Sequence, residues 1–499
     1  AGFFYIPGTD TCIKLGGYLR ADLTINGGVY DAPFYNGEGG IRDRYANFYA
    51  DRSRLALTID TRTATEYGVV RTFGQADFSF STFNSTNSIG LAASVEPGAT
   101  QAQVNNDTSG NGYAGVEFVF LQFAGFTFGK SASAFSTPWH GYPGNNTSFL
   151  IGGFDSVSGI NNIQYTWQFG NGVSATIGVD DSSANAFNRT QIINAVGGTA
   201  GGSIGFGGAA SAFTTGVGSA YGGASVPDFV GNIRVDQAWG LFQISGAVHD
   251  DHAGYFSVAN TPSTALGGAA QTGAVNFGHP SDAYGGAVSA ALQIKNIPTG
   301  AGDDIKLEGT WEKGASKYVL ATSGASPSAF DIYSGTKLAL GVVTDSIYSG
   351  VSAVNPQTGQ QLTTGWGFRG AFNHNWDPYW SSSLFGGIAG LSYNATAKTL
   401  WCNAYLLPTA AGGTSGITSS AGLTRCDPGF TISEIGVVTR WTPVKNLTFS
   451  AEVLYAFLKT NMAGSVVAAP SSALPLATTT YTYGNNSTTS LNLRVQRNF

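Results

Sequence analysis

Apolar and polar residues alternate along most of this chain with a period of two, the spacing of a β-strand whose two faces meet different surroundings. In "CIKLGGYLRADLTIN" (12–26), Ile13, Leu15, Leu19, Leu23 and Ile25 fall on one side, together with Gly17 and Ala21. Lys14, Gly16, Tyr18, Arg20, Asp22, Thr24 and Asn26 fall on the other. The same alternation returns at 52–62, 162–169, 305–312, 447–457 and again from Leu491 to the end at Phe499. No stretch follows the three-and-four spacing of an amphipathic helix. None approaches the ~18 uninterrupted apolar residues of a membrane-spanning helix.

Strand ends alternate between two kinds of connection. Short, turn-like links fall near 64–66, 170–172, 240, 296–303, 377–379 and 442–446. Between them lie Gly-, Ser-, Asn- and Ala-rich segments such as 181–228 and 315–362. The pattern predicts about sixteen antiparallel strands with both termini on the short-turn side, forming one unit over 1–499. Strands of about nine to fifteen residues suit a tilted bilayer crossing better than a soluble sandwich. Rings at the strand ends (Trp167, Phe169, Trp239, Trp376, Trp380, Trp441, Phe499) suit a membrane–water boundary. The expected fold is therefore an all-β transmembrane antiparallel β-barrel, because only a closed sheet leaves no unpaired backbone edge in lipid. Its polar faces must then line the lumen, and about sixteen strands leave a channel rather than a filled core.

Composition agrees. The chain is 11% charged, with 70 glycines, 32 Phe, 22 Tyr and one Met, against roughly 25% charged in soluble domains. A formal charge of −6 argues against a nucleic-acid partner. It opens at "AGFFYIPGTDTC" without Met or a leader pattern and reads as a mature or trimmed chain, so export is inferred. Of three cysteines, Cys402 and Cys426 share one loop-like segment and could close it, leaving Cys12 over.

The chemistry of catalysis is thin. "GGSIG" (201–205) matches a nucleophile elbow, but Ser203 sits in a Gly/Ala-rich loop without the strand–turn–helix context. "HDDH" (249–252) could gather metal ligands, yet it crowds one strand end and reads as local polarity. "GVGSAYGG" (216–223) lacks the setting of a phosphate cradle. The expectation is a protein without enzymatic activity, cofactor or metal.

The segments "AGFFYIPGTDTCIKLGGYLRAD", "GVEFVFLQFAGFTFGKSASAF", "PDFVGNIRVDQAWG" and "RWTPVKNLTFSAEVLYAFL" resemble the general porins of alphaproteobacteria. A last strand ending in Phe499 resembles the assembly signal of outer-membrane proteins. The resemblance implies a homotrimer in the outer membrane, in contact with its lipid and lipopolysaccharide. It also implies passive diffusion of small hydrophilic solutes and ions, and a third long loop folded into the pore, here 131–159. It places the pairing partner of Cys12 upstream of the sequence. In an exported, oxidising setting Cys402 and Cys426 are expected to bond to each other. Arg20, Arg54, Arg71 and Arg494, on the polar faces of strands that closure makes neighbours, are expected to form a basic ladder at the constriction. Facing them, the loop carries Asp155 as its only carboxylate, supplemented by Glu117 from the preceding strand. Asp22, Asp60, Asp77, Glu308, Glu312 and Glu452 keep the rest of the lumen mixed, so a weak anion preference is expected. Two other readings stand beside the general pore. One is a substrate-specific channel using Trp139 and Tyr142; the other is a surface adhesin or structural barrel with a plugged lumen. Small residues facing outward (Gly17, Ala21, Gly74, Ala76) suit close approach of neighbouring barrels, with a latch expected in 81–112.

Overall fold

The computed structural model describes residues 2–28, 48–81, 113–139, 141–148, 150–182, 189–196, 219–256, 277–320, 329–352, 354–407, 417–469 and 477–499. Ser203 and nearly all of the expected latch 81–112 lie outside the described residues.

Sixteen strands form the wall. In chain order they are β1 (Thr11–Ile25), β2 (Tyr49–Thr65), β3 (Gly68–Ser81), β4 (Tyr113–Phe123), β5 (Phe126–Ser131), β6 (Ile160–Gly170), β7 (Val173–Asp180) and β8 (Asp228–Gln237). They continue with β9 (Gly240–Asp251), β10 (Ala283–Lys295), β11 (Asp304–Lys313), β12 (Thr364–Asn375), β13 (Trp380–Ser392), β14 (Phe430–Val444), β15 (Leu447–Thr460) and β16 (Asn486–Asn498). Each pairs antiparallel with the next, and β16 pairs with β1 in the register Asp22↔Arg494, so the sheet is a closed barrel. At this seam Phe499 N–H donates to Gly17 O (3.1 Å), and Gly17 N–H donates to Phe499 O (3.2 Å).

Two solvents explain the alternation. Leu15, Leu19, Ile59, Val119, Ile163, Ile233, Ile244, Ile435 and Val453 are exposed on the outside, an apolar belt that lipid would cover. Near the short-turn end the belt is edged by exposed Tyr67, Phe169, Trp239, Trp376, Tyr379, Trp441 and Phe499. Short turns use residues that tolerate a left-handed backbone: Asn171 (φ 50) with Gly172 (φ 74), and Ala124 (φ 49) with Gly125 (φ 89).

Most strands keep to the expected length, though β2 has 17 residues and β7 eight, and β5 departs furthest. β5 spans only six residues, because the chain leaves the wall at Ser131 and turns inward. The long connections also carry structure that the alternation did not announce. At the long-loop end, Ala329–Ser334, Lys337–Val342, Thr479–Tyr483, Ala463–Ala468, Ile417–Ser419 and Leu423–Arg425 form a second sheet. Helix α1 (Lys317–Leu320) lies within the barrel, and α2 (Ala395–Tyr405) packs on the second sheet. Trp401, Leu338, Leu340, Met462 and Val466 share the core of this cap. Cys402 and Cys426 are disulfide-bonded, with Cα atoms 6.0 Å apart, and tie α2 to the cap; Cys12 is free. Asn394 caps α2, its side chain accepting from Ala397 N–H (2.8 Å).

Candidate functional site: the lumen and its inward loop

Pairing of β1, β2, β3 and β16 decides which wall arginines meet. Arg20 stands directly opposite Arg54, and Asp22 opposite both Arg52 and Arg494. Two like guanidiniums in register repel unless acids intervene. The acids are there: Asp22 bonds Arg52 (2.7 Å) and Arg494, while Arg54 pairs with Asp77 (2.7 Å) and Glu117 (3.4 Å). Arg20 differs. Its Nε donates to Gln496 Oε1 (2.8 Å), its guanidinium lies over Tyr18, and it makes no salt bridge among the described residues. Arg52, absent from the expected ladder, was recoverable from the same alternation, which puts it on the polar face with Arg54.

Arg71 departs from its expected place. It is four positions into β3, opposite Arg62, and it bonds Asp60 (3.0 Å) and Gln122 (2.9 Å) near the short-turn end. Arg54 pairs with Ser79. Arg71 therefore lies some eight residues further along β3, about 27 Å at ~3.4 Å per residue. It lies toward the short-turn mouth, away from Arg54.

Residues 131–159 fold into the lumen, held by polar groups of the wall. Asn232 donates to Ala134 O (2.6 Å), Gln243 to Ser136 O (2.9 Å), Arg234 to Pro138 O (3.0 Å) and Asn373 to Pro143 O (3.0 Å). Further on, Arg440 donates to Gly144 O, Glu452 accepts from Asn146 and Thr147 N–H, and Glu434 accepts from Ile151 N–H (3.0 Å). A Gly/Ser/Asn-rich segment has few apolar anchors, so its backbone groups must find partners in the wall. Its apolar residues do find a core: Phe135 and Phe154 pack on Tyr318 of α1, with ring centroids 4.3 Å and 5.2 Å away.

Asp155 does not face the β1–β3 arginines. It bonds Arg369 of β12 (3.2 Å), which also bonds Glu308 of β11 (2.7 Å), and all three are buried. Burial, opposed by Arg369, pushes the Asp155 carboxyl up to about 6. The loop can approach this trio because Gly152 and Gly153 carry no Cβ. At Gly153 a Cβ would stand 2.6 Å from the Glu308 carboxylate and 2.7 Å from Arg369 Nε. Glu308, Glu312 and Glu452 thus lie under the loops instead of lining open water. Among the described residues, a cavity of about 740 Å³ remains between residues 131–138 and the β3–β9 wall. Arg71, Gln122, Gln164, Arg234 and Gln243 help line it. Trp139 and Tyr142 are half-buried.

A closed sixteen-stranded barrel, apolar outside and polar within, with one long connection folded into its lumen, defines the outer-membrane porin class. The chain belongs to that family, since the family model described as "Porin subfamily" matches residues 1–490, and it is a protein of the bacterial outer membrane. It is similar to Porin Omp2b of Brucella suis biovar 1 (strain 1330), 29% identical over 197 residues. That match covers 39% of this chain and spans about half the length of the relative, 46%. In fold it is similar to the outer membrane channel DcaP of Acinetobacter baumannii, with a TM-score of 0.55 at 11% identity, covering 99% of each chain.

Proposed function

We propose that the protein is a water-filled channel through which small hydrophilic solutes and ions diffuse passively, driven by their gradients alone. The observation that carries this reading is the closed barrel whose polar face borders a 740 Å³ space beside an inward loop. Nothing in such a mechanism requires catalysis or a cofactor. Pore width and the field at the narrowing do the work, because low-dielectric walls focus fixed charge onto the aqueous path.

One observation favours a second reading. Residues 131–159 and the connection carrying α1 pack on each other and bury wall groups from Asp228 to Glu452. A lumen this filled conducts less than an open sixteen-stranded barrel, and in the limit it is plugged. Purified protein in planar bilayers separates the readings: small, stepwise, ohmic conductance supports the general pore. Block by one solute class would favour a specific channel acting through Trp139 and Tyr142, and silence a plugged barrel.

The assembly proposed is a homotrimer. On the outer face Ala21, Gly74 and Ala76 stand among Leu57, Ile59 and Leu19, a surface of small and large residues that a neighbouring barrel fits better than lipid needs. Gly17 on this face lies close to the Phe499 ring, where a Cβ would come within 3.1 Å. Native mass measurement in mild detergent should give three copies; a conducting monomer would remove the proposal.

A further inference from the structure

In the sequence, "HDDH" (249–252) reads as local polarity at a strand end. The fold gives it another setting. His249 and Asp251 at the end of β9 meet Asp345, from the connection between β11 and β12, and one potential ligand atom of each lies within 4.8 Å of the others. All three residues are buried.

At Asp251 the hydrogen bonding does not close. The Tyr221 hydroxyl lies 2.8 Å from His249 Nε2, 3.1 Å from Asp251 Oδ1 and 2.9 Å from Asp345 Oδ2. A phenol has one proton to give; Asp345 also accepts from Ser316 N–H (2.7 Å), Ser316 O–H (2.8 Å) and Thr190 N–H (3.2 Å), whereas at Asp251 the donor is the shared Tyr221 hydroxyl. The second oxygen of Asp251, Oδ2, is buried and without any hydrogen-bond partner among the described residues. Glu312 Oε1, buried nearby against the same connection, is also unpartnered. Isolated carboxylates removed from water are costly unless a positive charge meets them. The basic groups closest in the fold are engaged elsewhere: Lys317 bonds Asp228 (2.7 Å), and Arg189 lies over the Tyr221 ring and donates to Gly222 O (3.3 Å).

The imidazole is held as metal-binding imidazoles are. His249 Nδ1 bonds Asp228 Oδ1 at 2.6 Å. With the proton on Nδ1, that bond leaves the Nε2 lone pair facing the Tyr221 hydroxyl, around which the two carboxylates gather. Asp228 is fixed in turn by Lys317 and by Tyr318 O–H (2.7 Å).

We propose that His249, Asp251 and Asp345 bind one borderline divalent cation of the zinc class, with the Tyr221 oxygen beside them. An imidazole nitrogen with two carboxylates suits Zn²⁺, whereas Ca²⁺ and Mg²⁺ prefer sites built of oxygen alone. The ion would bind two connections to the wall, since Tyr221 precedes β8 and Asp345 follows β11. It therefore serves to hold the lumen-filling segments in place, independently of whether the pore is general or specific.

The test uses the full chain, extracted in detergent, stripped with chelator and then given Zn²⁺ alone. One Zn²⁺ per chain after gel filtration, with a thermal midpoint several degrees above the stripped protein, is the expected result. Asp345→Asn should weaken binding at least 100-fold, and Asp228→Asn, which removes the carboxylate that orients the imidazole, about 10–100-fold. Resistance of the barrel band to cold detergent verifies that each variant is folded. Sub-stoichiometric zinc without a thermal shift in the unmutated protein would overturn the proposal, as would Ca²⁺ binding in preference to Zn²⁺ or undiminished binding by folded Asp345→Asn.

Discussion

Arg369 shows how much one side chain holds here. It is fully buried between Glu308 and Asp155, one from the wall and one from the inward loop. Replacing it with leucine would leave two carboxylates without their cation, and breaking a buried pair from one side costs about 3–5 kcal/mol. Arg369→Leu should lower the urea-unfolding midpoint in detergent and raise single-channel conductance as 131–159 loosens. Asp155 itself carries a pH signature. Its folded pKa of about 6 lies above the usual carboxylate value, so the folded state holds the proton more tightly than the unfolded chain does. Ionisation of Asp155 is therefore unfavourable above pH 6, by about 3 kcal/mol at ~1.4 kcal/mol per pH unit. That cost is relieved as the pH falls from about 6 to about 4. Unfolding measured at pH 7 and pH 5 should show this gain in the native protein and lose it in Asp155→Asn.

Among elements, the inward loop depends on a close backbone approach. Gly153→Val would drive a branched side chain into the Glu308 carboxylate and Arg369 Nε. The expected result is a barrel that still forms but conducts more, with larger current fluctuations; unchanged conductance would mean the loop does not limit flow. The strands themselves were legible in the sequence, because lipid outside and water inside impose opposite demands on alternate residues. β11, expected at 305–312, spans Asp304–Lys313, and β6, expected at 162–169, spans Ile160–Gly170. The loop's docking was not legible. Its contacts are backbone carbonyls and N–H groups meeting Asn232, Gln243, Glu434 and Glu452, and backbone groups leave no mark in a residue pattern. The cap was hidden for a related reason: its strands are three to six residues long, too short to establish a period.

For the whole molecule the question is the sign of the pore's field. The expected ladder is largely neutralised by Asp22, Asp77, Glu117 and Asp60. Arg20, and Arg440 with its hydrogen bonds to Ser383 Oγ and Gly144 O, make no salt bridge among the described residues. A weak preference for anions is the expected outcome, shrinking at high salt as the Debye length falls to about 3 Å near 1 M. Reversal potentials in a KCl gradient should shift toward K⁺ in Arg20→Ser and move less in Arg71→Ser, whose guanidinium is paired with Asp60. A native channel that already favours K⁺ would sink this reading while leaving the porin family untouched.

The seam between β1 and β16 also sets a clock. Arg20 and Gln496, bonded across it, are 476 residues apart in the chain. The strand that completes β1 is thus synthesised long after β1 itself. Throughout synthesis and transit the chain presents two open sheet edges and a lipid-facing stripe to water, the conditions under which strands pair with the wrong neighbour. Contacts of such sequence separation also form slowly. Folding before the membrane is reached would leave both edges and the apolar stripe exposed until the seam closes. A chain cut before Asn486 should accumulate as aggregate and never as a smaller pore.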